Sequence, residues 1–108
     1  MLAEIRYWDE GVVLELHGRL DNAAQEELER AVMSVMAQYR GPILVDMTDV
    51  DFICSAAIRL LALCVMLRRQ QQREFGLINL PPDVERVIEV VRMRDYFSPS
   101  PGAALPVF

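Results

Sequence analysis

Two short apolar runs, ILVDM at residues 43–47 and FGLINL at 75–80, constrain the fold of this chain more than any other feature. Each is the length of a strand, carries β-branched residues and leads toward a stretch of helical periodicity. The first lacks the polar alternation of a half-exposed strand. It therefore predicts a central strand buried on both faces, in a sheet that helices cover. The second predicts another buried strand.

The intervening segments supply those helices. Before the first run, Ala24, Leu28, Ala31, Val32, Val35 and Tyr39 recur at helical spacing, and Gly41-Pro42 stops the pattern. Asp21 or Asn22 can cap its start. With Asn22 as the cap, Gln25 stands at capping-box spacing. Glu26, Glu27 and Glu29 suit the positive end of the helix dipole. Residues 56–72 predict a second helix with Ile58, Leu61, Ala62 and Val65 on one stripe, and Arg68, Arg69 and the glutamines as a polar end. After Pro81-Pro82, a favoured helix start, Val84, Val87, Ile88 and Val91 mark a third helical face, and Asp83 and Glu85 suit its first turn.

Upstream, IRYWDEGVVLELHG predicts a hairpin. Ile5 and Tyr7 alternate, and Asp9-Glu10-Gly11 is turn chemistry. In the second arm Val12, Leu14 and Leu16 face one way and Val13, Glu15 and His17 the other. His17 is thus expected as a surface or half-covered strand residue. Strands alternating with helices imply parallel β-α-β units. The fold expected is a single α/β domain over residues 1–108, with a mixed, mostly parallel sheet, an N-terminal β-hairpin and helices packed on the sheet. The end of the chain, YFSPSPGAALPVF from Tyr96, is expected as a loop, and residues 98–108, with Pro106 among them, as an irregular tail or a short edge strand.

Composition narrows the function. The net charge is −5, and all 11 basic residues are arginine. That balance argues against direct nucleic-acid binding, which shows as a basic patch or stripe. The charge is uneven, −7 over residues 1–51 and +2 over 52–108. Arg59, Arg68, Arg69 and Arg73 fall together, as a solvated helix face or a docking surface for an acidic partner. No apolar run reaches the roughly 20 residues of a membrane span, and MLAEIRYWDE has no signal-peptide pattern, so a cytoplasmic location is expected. If Cys54 and Cys64 lay on one helix they would stand about 15 Å apart along it, too far for a disulfide.

No catalytic set emerges. Phosphate-loop glycine spacing is lacking, His17 is the one histidine, and Ser55 has no glycine-flanked elbow. Asp46, Asp49 and Asp51 are expected in a turn where the strand leaves the sheet. The reading is a protein that is not an enzyme and holds neither metal nor cofactor.

The residue that draws chemical attention is Ser55, in DMTDVDFICSAAIRLL (residues 46–61). If the second helix begins near Ala56, Ser55 is its N-cap, a position serine favours by about 1 kcal/mol over alanine. The same place suits a phosphate, because a helix N-terminus offers free N–H groups and partial positive charge. Phosphorylation would add about −1.5 to −2 charges there. One hydroxyl could then act as a binding switch.

Three segments, GRLDNAAQEELERAV, ILVDMTDVDFICSAAIRLLALCVML and GLINLPPDVERVIEVVRMRDYF, together resemble the STAS domain, the family of anti-sigma-factor antagonists and of sulfate-transporter tails. The resemblance covers about residues 5 to 97. It aligns the family's phosphoacceptor serine or threonine with Ser55, its glycine-leucine-aspartate before the first helix with Gly18, Leu20 and Asp21, and its Ser-Pro before the third helix with Pro81-Pro82. It implies a regulatory protein that binds an anti-sigma factor, itself a serine kinase. Phosphorylation by that kinase would end the binding, and a phosphatase would reset it. The implied partner surface comprises Asp21, Asn22, Cys54, Ser55, Ala56, Ala57, Ile58 and Arg59. Three positions depart from the family pattern: Cys54 replaces an aspartate, and Ala56-Ala57 replace Ser/Thr and Gly. Those departures motivate the alternative of a constitutive STAS subunit in a larger complex, such as a phospholipid-transport ABC system, without a phosphoswitch. Family members usually finish with another strand and helix; SPSPGAALPVF is too short for that helix, which would leave some apolar surface for a partner or for a second copy of the chain in a homodimer.

Overall fold

The computed structural model describes residues 1–103, 105 and 106. Its elements run β1 (Leu2–Trp8), β2 (Gly11–Leu20), a 3-10 turn (Asn22–Ala24), α1 (Gln25–Gln38), β3 (Ile43–Ile53), α2 (Ser55–Gln70), β4 (Phe75–Ile78), α3 (Pro82–Val90) and α4 (Arg94–Phe97). Among the described residues the strands form one four-stranded sheet in sequential order, β1-β2-β3-β4. The β1–β2 pair is antiparallel, while β2–β3 and β3–β4 are parallel. This is the predicted α/β domain with its opening hairpin. The β2-α1-β3 and β3-α2-β4 units step across the sheet in the same direction, and right-handed crossovers then place α1 and α2 on one face, where they touch.

Pairing register sorts the side chains. Tyr7, Val12, Ile43 and Phe75 share one face with Ile5, Leu14, Val45 and Leu77, and the central members of these rows enter the core with Leu28, Leu61, Val65 and Ile88. Arg6, Val13, Leu44 and Gly76 share the other face. Val13 and Leu44 are fully buried there too, so β3 is covered on both sides, as its unbroken apolar run predicts. Chain from the end of α4 crosses this second face. A Cβ on Gly76 would lie 3.2 Å from the Phe97 carbonyl oxygen and 3.1 Å from the Pro99 nitrogen, which leaves no room for a larger residue.

Five expectations need correction. First, β3 does not end at Met47. It continues through TDVDF to Ile53, because β2 is ten residues long and pairs with it to the end, Leu20 opposite Ile53. Two register shifts interrupt this stretch, the second at Gly18, whose φ of +102° is a conformation glycine tolerates. The shifts scramble the period-2 burial that would have revealed a strand. Asp46, Asp49 and Asp51 are thus strand residues. Asp46 accepts from Thr48 N (2.9 Å), Thr48 Oγ1 (2.6 Å) and Asn79 Nδ2 (3.3 Å), and so ties β3 to the end of β4.

Second, Asn22 is not the cap and Gln25 does not close a capping box. Asp21 caps the 3-10 turn, accepting from Ala24 N at 3.1 Å. Third, the polar end of α2 is not uniformly solvated: Arg68 is completely buried. Its guanidinium donates to the carbonyls of Tyr39 (3.0 Å), Gly41 (2.7 Å) and Met36 (3.4 Å), the oxygens at the end of α1 and just beyond. Burial, with the Arg73 charge adding to it, pulls the Arg68 pKa below its usual value. An arginine stays charged under such a pull, and here it meets the negative end of the α1 dipole.

Fourth, only half of the α3 stripe is core. Val84 and Ile88 are buried, while Val87 and Val91 are 38% and 46% exposed. Fifth, the chain before the tail is not all loop: residues 94–97 form α4, which buries Phe97. Residues 98–103 then run in bends and turns. Ala104, Val107 and Phe108, on which a terminal edge strand would have depended, lie outside the described residues.

Candidate functional site

The core fixes where α2 begins. Ile53 closes β3 as a buried residue, and the Cys54 N–H donates to the Leu20 carbonyl (2.9 Å) at the end of β2. With φ −91° and ψ 165°, Cys54 is the last extended residue, and its carbonyl accepts from Ile58 N at 3.1 Å. Cys54 is therefore the N-cap and Ser55 the first helical residue, so the helix begins one position earlier than the sequence suggested. The reason is strand length: β3 runs to Ile53 and leaves a single residue for the turn into the helix.

This one-residue offset changes what Ser55 does. A capping serine spends its hydroxyl on a helix N–H. Ser55 is exposed, and its hydroxyl makes no hydrogen bond among the described residues. The cap position itself carries a thiol that makes no side-chain cap bond. The first turn of α2 thus keeps free N–H groups and partial positive charge, with an accessible hydroxyl among them. Arg59 stands four residues on, on the same face of the helix, exposed and without an ion pair among the described residues.

The other expected site residues fall around this point. Ala56 is half-buried, and its carbonyl accepts from Gln25 Nε2 at 3.2 Å, which pins the start of α2 to the start of α1. Ala57 is fully buried and lies beneath the surface rather than on it. Ile58 is 6% exposed but lines a groove of about 270 Å³ with Ser55, Arg59, Ala62, Val91 and Met93. Val91 and Met93 bring the end of α3 beside the serine, and the exposed Val87 and Val90 extend the apolar surface along α3. Asp21 reaches the same end of the sheet through the Leu20–Cys54 bond, its carboxylate shared between the 3-10 turn and Arg19 (3.7 Å). Asn22 beside it is exposed.

Sequence reasoning missed Gln25, Val91 and Met93 as members of this region. Val91 carried a signal as the last residue of an amphipathic stripe. Gln25 gave none, since its partner is a backbone carbonyl 31 positions away. His17 does not serve Ser55. Its Nδ1 pairs with Asp49 at 3.0 Å along the β2–β3 seam. Arg19 lies over the Phe52 ring at 4.4 Å. Of the remaining arginines once grouped as a docking face, Arg69 stacks on Tyr96 (4.6 Å) and donates to its carbonyl (2.9 Å). Cys54 is partly accessible, whereas Cys64 is buried and desolvation pushes its thiol to about 11; both are free.

Known proteins resemble this arrangement in sequence and in shape. A protein-family profile described as "Mlab, STAS domain" matches residues 4–99. The anti-sigma factor antagonist BtrV of Bordetella bronchiseptica is 31% identical over 75 residues, which is 69% of this chain and 65% of that protein, so the match spans slightly less than two thirds of the relative's length. An anti-sigma factor antagonist from Mycobacterium paratuberculosis superimposes with a TM-score of 0.78 at 23% identity, covering 89% of this chain and 81% of that one. The anti-sigma factor antagonist SpoIIAA in its unphosphorylated form gives 0.73 at 20% identity, covering 88% and 84%. The Bacillus cell fate determinant SpoIIAA in its phosphorylated form gives 0.67 at 18% identity, covering 90% and 88%. At such identities the structures establish a shared fold.

Proposed function

The chain belongs to the STAS domain family, and from that premise we propose that it is an anti-sigma-factor antagonist: a regulatory protein that binds an anti-sigma factor through the surface around Ser55 and is switched by phosphorylation of that serine. The anti-sigma factor would itself be the serine kinase, and a phosphatase would restore binding, in the cytoplasm. Among the described residues no helix is long and apolar enough to cross a membrane. Anti-sigma factor antagonist is also the name carried by the relative and by structural neighbours.

One observation carries the reading. The Ser55 hydroxyl is exposed and uncommitted at the first residue of α2, at the rim of the apolar groove shared with α3. A kinase needs an accessible hydroxyl, and a partner needs apolar surface to bury. A phosphate at this position would sit at the favourable end of the helix dipole with Arg59 one turn away. It would leave the fold intact and change only the charge seen by the partner. Switching would then follow from repulsion and desolvation at the interface, not from unfolding.

The test is peptide mapping by mass after incubation with ATP and lysate of the source organism, wild type beside Ser55→Ala. A phosphate confined to Ser55, lost in the variant, is the expected result. An unmodified Ser55 with demonstrably active kinases would sink the switch. It would favour a second reading, a constitutive STAS subunit of a larger complex such as a phospholipid-transport ABC system. The feature that favours that reading is the first turn of α2 itself, where Cys54 stands in place of an acidic residue and Ala57 fills the core.

A further inference from the structure

The two outer strands of the sheet are protected very differently. β4 has only four residues, and a short edge strand is itself a guarded one. β1 has seven residues in unbroken register with β2, from Leu2 opposite His17 to Trp8 opposite Gly11. It contains no proline and no bulge, two of the devices that guard an edge; its charges are Glu4 and Arg6. Leu2, Ile5 and Tyr7 on it are 56%, 41% and 63% exposed.

Backbone geometry says which groups of β1 face outward. Val12 N donates to the Pro42 carbonyl (3.0 Å), on the β3 side, so the Tyr7–Val12 pair is one whose N–H and C=O groups point away from each other. Hydrogen-bonded and non-bonded pairs alternate along an antiparallel ladder. Ala3, Ile5 and Tyr7 therefore direct their backbone N–H and C=O groups to the outer edge, where no further strand pairs among the described residues. This spacing is symmetric about Ile5.

We propose that β1 is a homodimerisation edge, on which β1 of a second copy pairs antiparallel about a two-fold axis through Ile5 and joins two sheets into one. In that register Ile5 meets Ile5, and Ala3 meets Tyr7 of the other copy. These are the residues with outward backbone groups, and each such pair exchanges two bonds, about six in all. Glu4 meets Arg6 of the other copy on both sides of the axis, so the charges are self-complementary without any adjustment. Within one copy Glu4 lies directly opposite Glu15, a like-charge pair. The Arg6 that already pairs with Glu15 belongs to the same face. A second arginine arriving opposite Glu4 would neutralise the remaining carboxylate. A shift of one residue would instead break both the charge pairing and the hydrogen-bond pattern, so the register is specified.

Sedimentation equilibrium over a wide concentration range tests this with three proteins. Wild type is expected to form a dimer. Glu4→Arg places arginine opposite arginine, Arg6→Glu places glutamate opposite glutamate, and each should weaken self-association at least about tenfold. Mixed together, the two variants are complementary at both sites, so the mixture should associate like wild type, which also shows that both are folded. A wild type monomeric throughout, single variants that dimerise undiminished, or a mixture that stays monomeric would each overturn the proposal.

Discussion

The two ends of α2 treat their polar groups in opposite ways. At the C-terminal end Arg68 is wholly enclosed, and both terminal nitrogens of its guanidinium donate to carbonyls at the end of α1 and just beyond, with only Nε left unpartnered among the described residues. At the N-terminal end the cap is a thiol that bonds nothing, and an exposed serine follows it with its hydroxyl unspent. One end is sealed into the fold, where an unmet charge would be costly. The other is left unsatisfied at the surface, where water meets the free groups until something else does. The contrast teaches where to look for function on a helix: at polar groups that the fold can afford to leave unused.

Breaking the sealed end should have the largest effect. Arg68→Ala strands three part-buried carbonyls and opens a void between α1 and α2. Loss of about 3 kcal/mol is expected, read as a fall of more than about 10 °C in the thermal midpoint. A fall of only a degree or two would mean that water replaces the guanidinium easily and that this end is not sealed at all. At the open end, Ser55→Asp should leave the midpoint nearly unchanged while weakening binding of an anti-sigma factor by at least about tenfold, or about 1.4 kcal/mol, measured by calorimetry. Equal binding by both proteins would remove Ser55 from the interface.

The contrast also separates what sequence can and cannot disclose. The alternation of strand and helix, the hairpin and the stripes of α1 and α2 were legible, because apolar periodicity is a direct record of which side of an element is buried. Arg68 was legible in part. It extends the buried line of Ile58, Leu61 and Val65, yet its charge argued for solvent, and nothing in the sequence announces three acceptors arriving from α1. The start of α2 was misread by one residue because serine is a favoured cap while the backbone angles put the cap at Cys54, and the second half of β3 was misread as a turn. A strand whose burial is interrupted by register shifts loses the period that would identify it. The serine that resembles the family's phosphoacceptor was visible. Its freedom from capping duty was not, since that depends on backbone angles at Cys54.

Two smaller changes sharpen the comparison at the open end. Cys54→Asp supplies the cap that α2 lacks. The carboxylate can accept from a first-turn N–H and adds negative charge at the positive end of the dipole. A gain of about 1 kcal/mol is expected in denaturant unfolding at neutral pH. The gain should shrink as pH falls toward the carboxylate's own range, because protonation removes the charge. A destabilised variant would show that the thiol packs more productively than its half-burial suggests.

The smallest effect carries the finest distinction. Ser55→Ala should change stability by less than about 0.5 kcal/mol, because at the first helical position serine spends no hydrogen bond and alanine is the better helix former. Were Ser55 the N-cap, the same substitution would cost about 1 kcal/mol. Denaturant titration of the two proteins side by side resolves that difference if the slopes agree. A near-zero change means the hydroxyl contributes nothing to holding α2 in place and is free for a role outside the folded chain. A loss of a full kcal/mol would close the open end of the helix and make Ser55 a structural residue like Arg68 at the other.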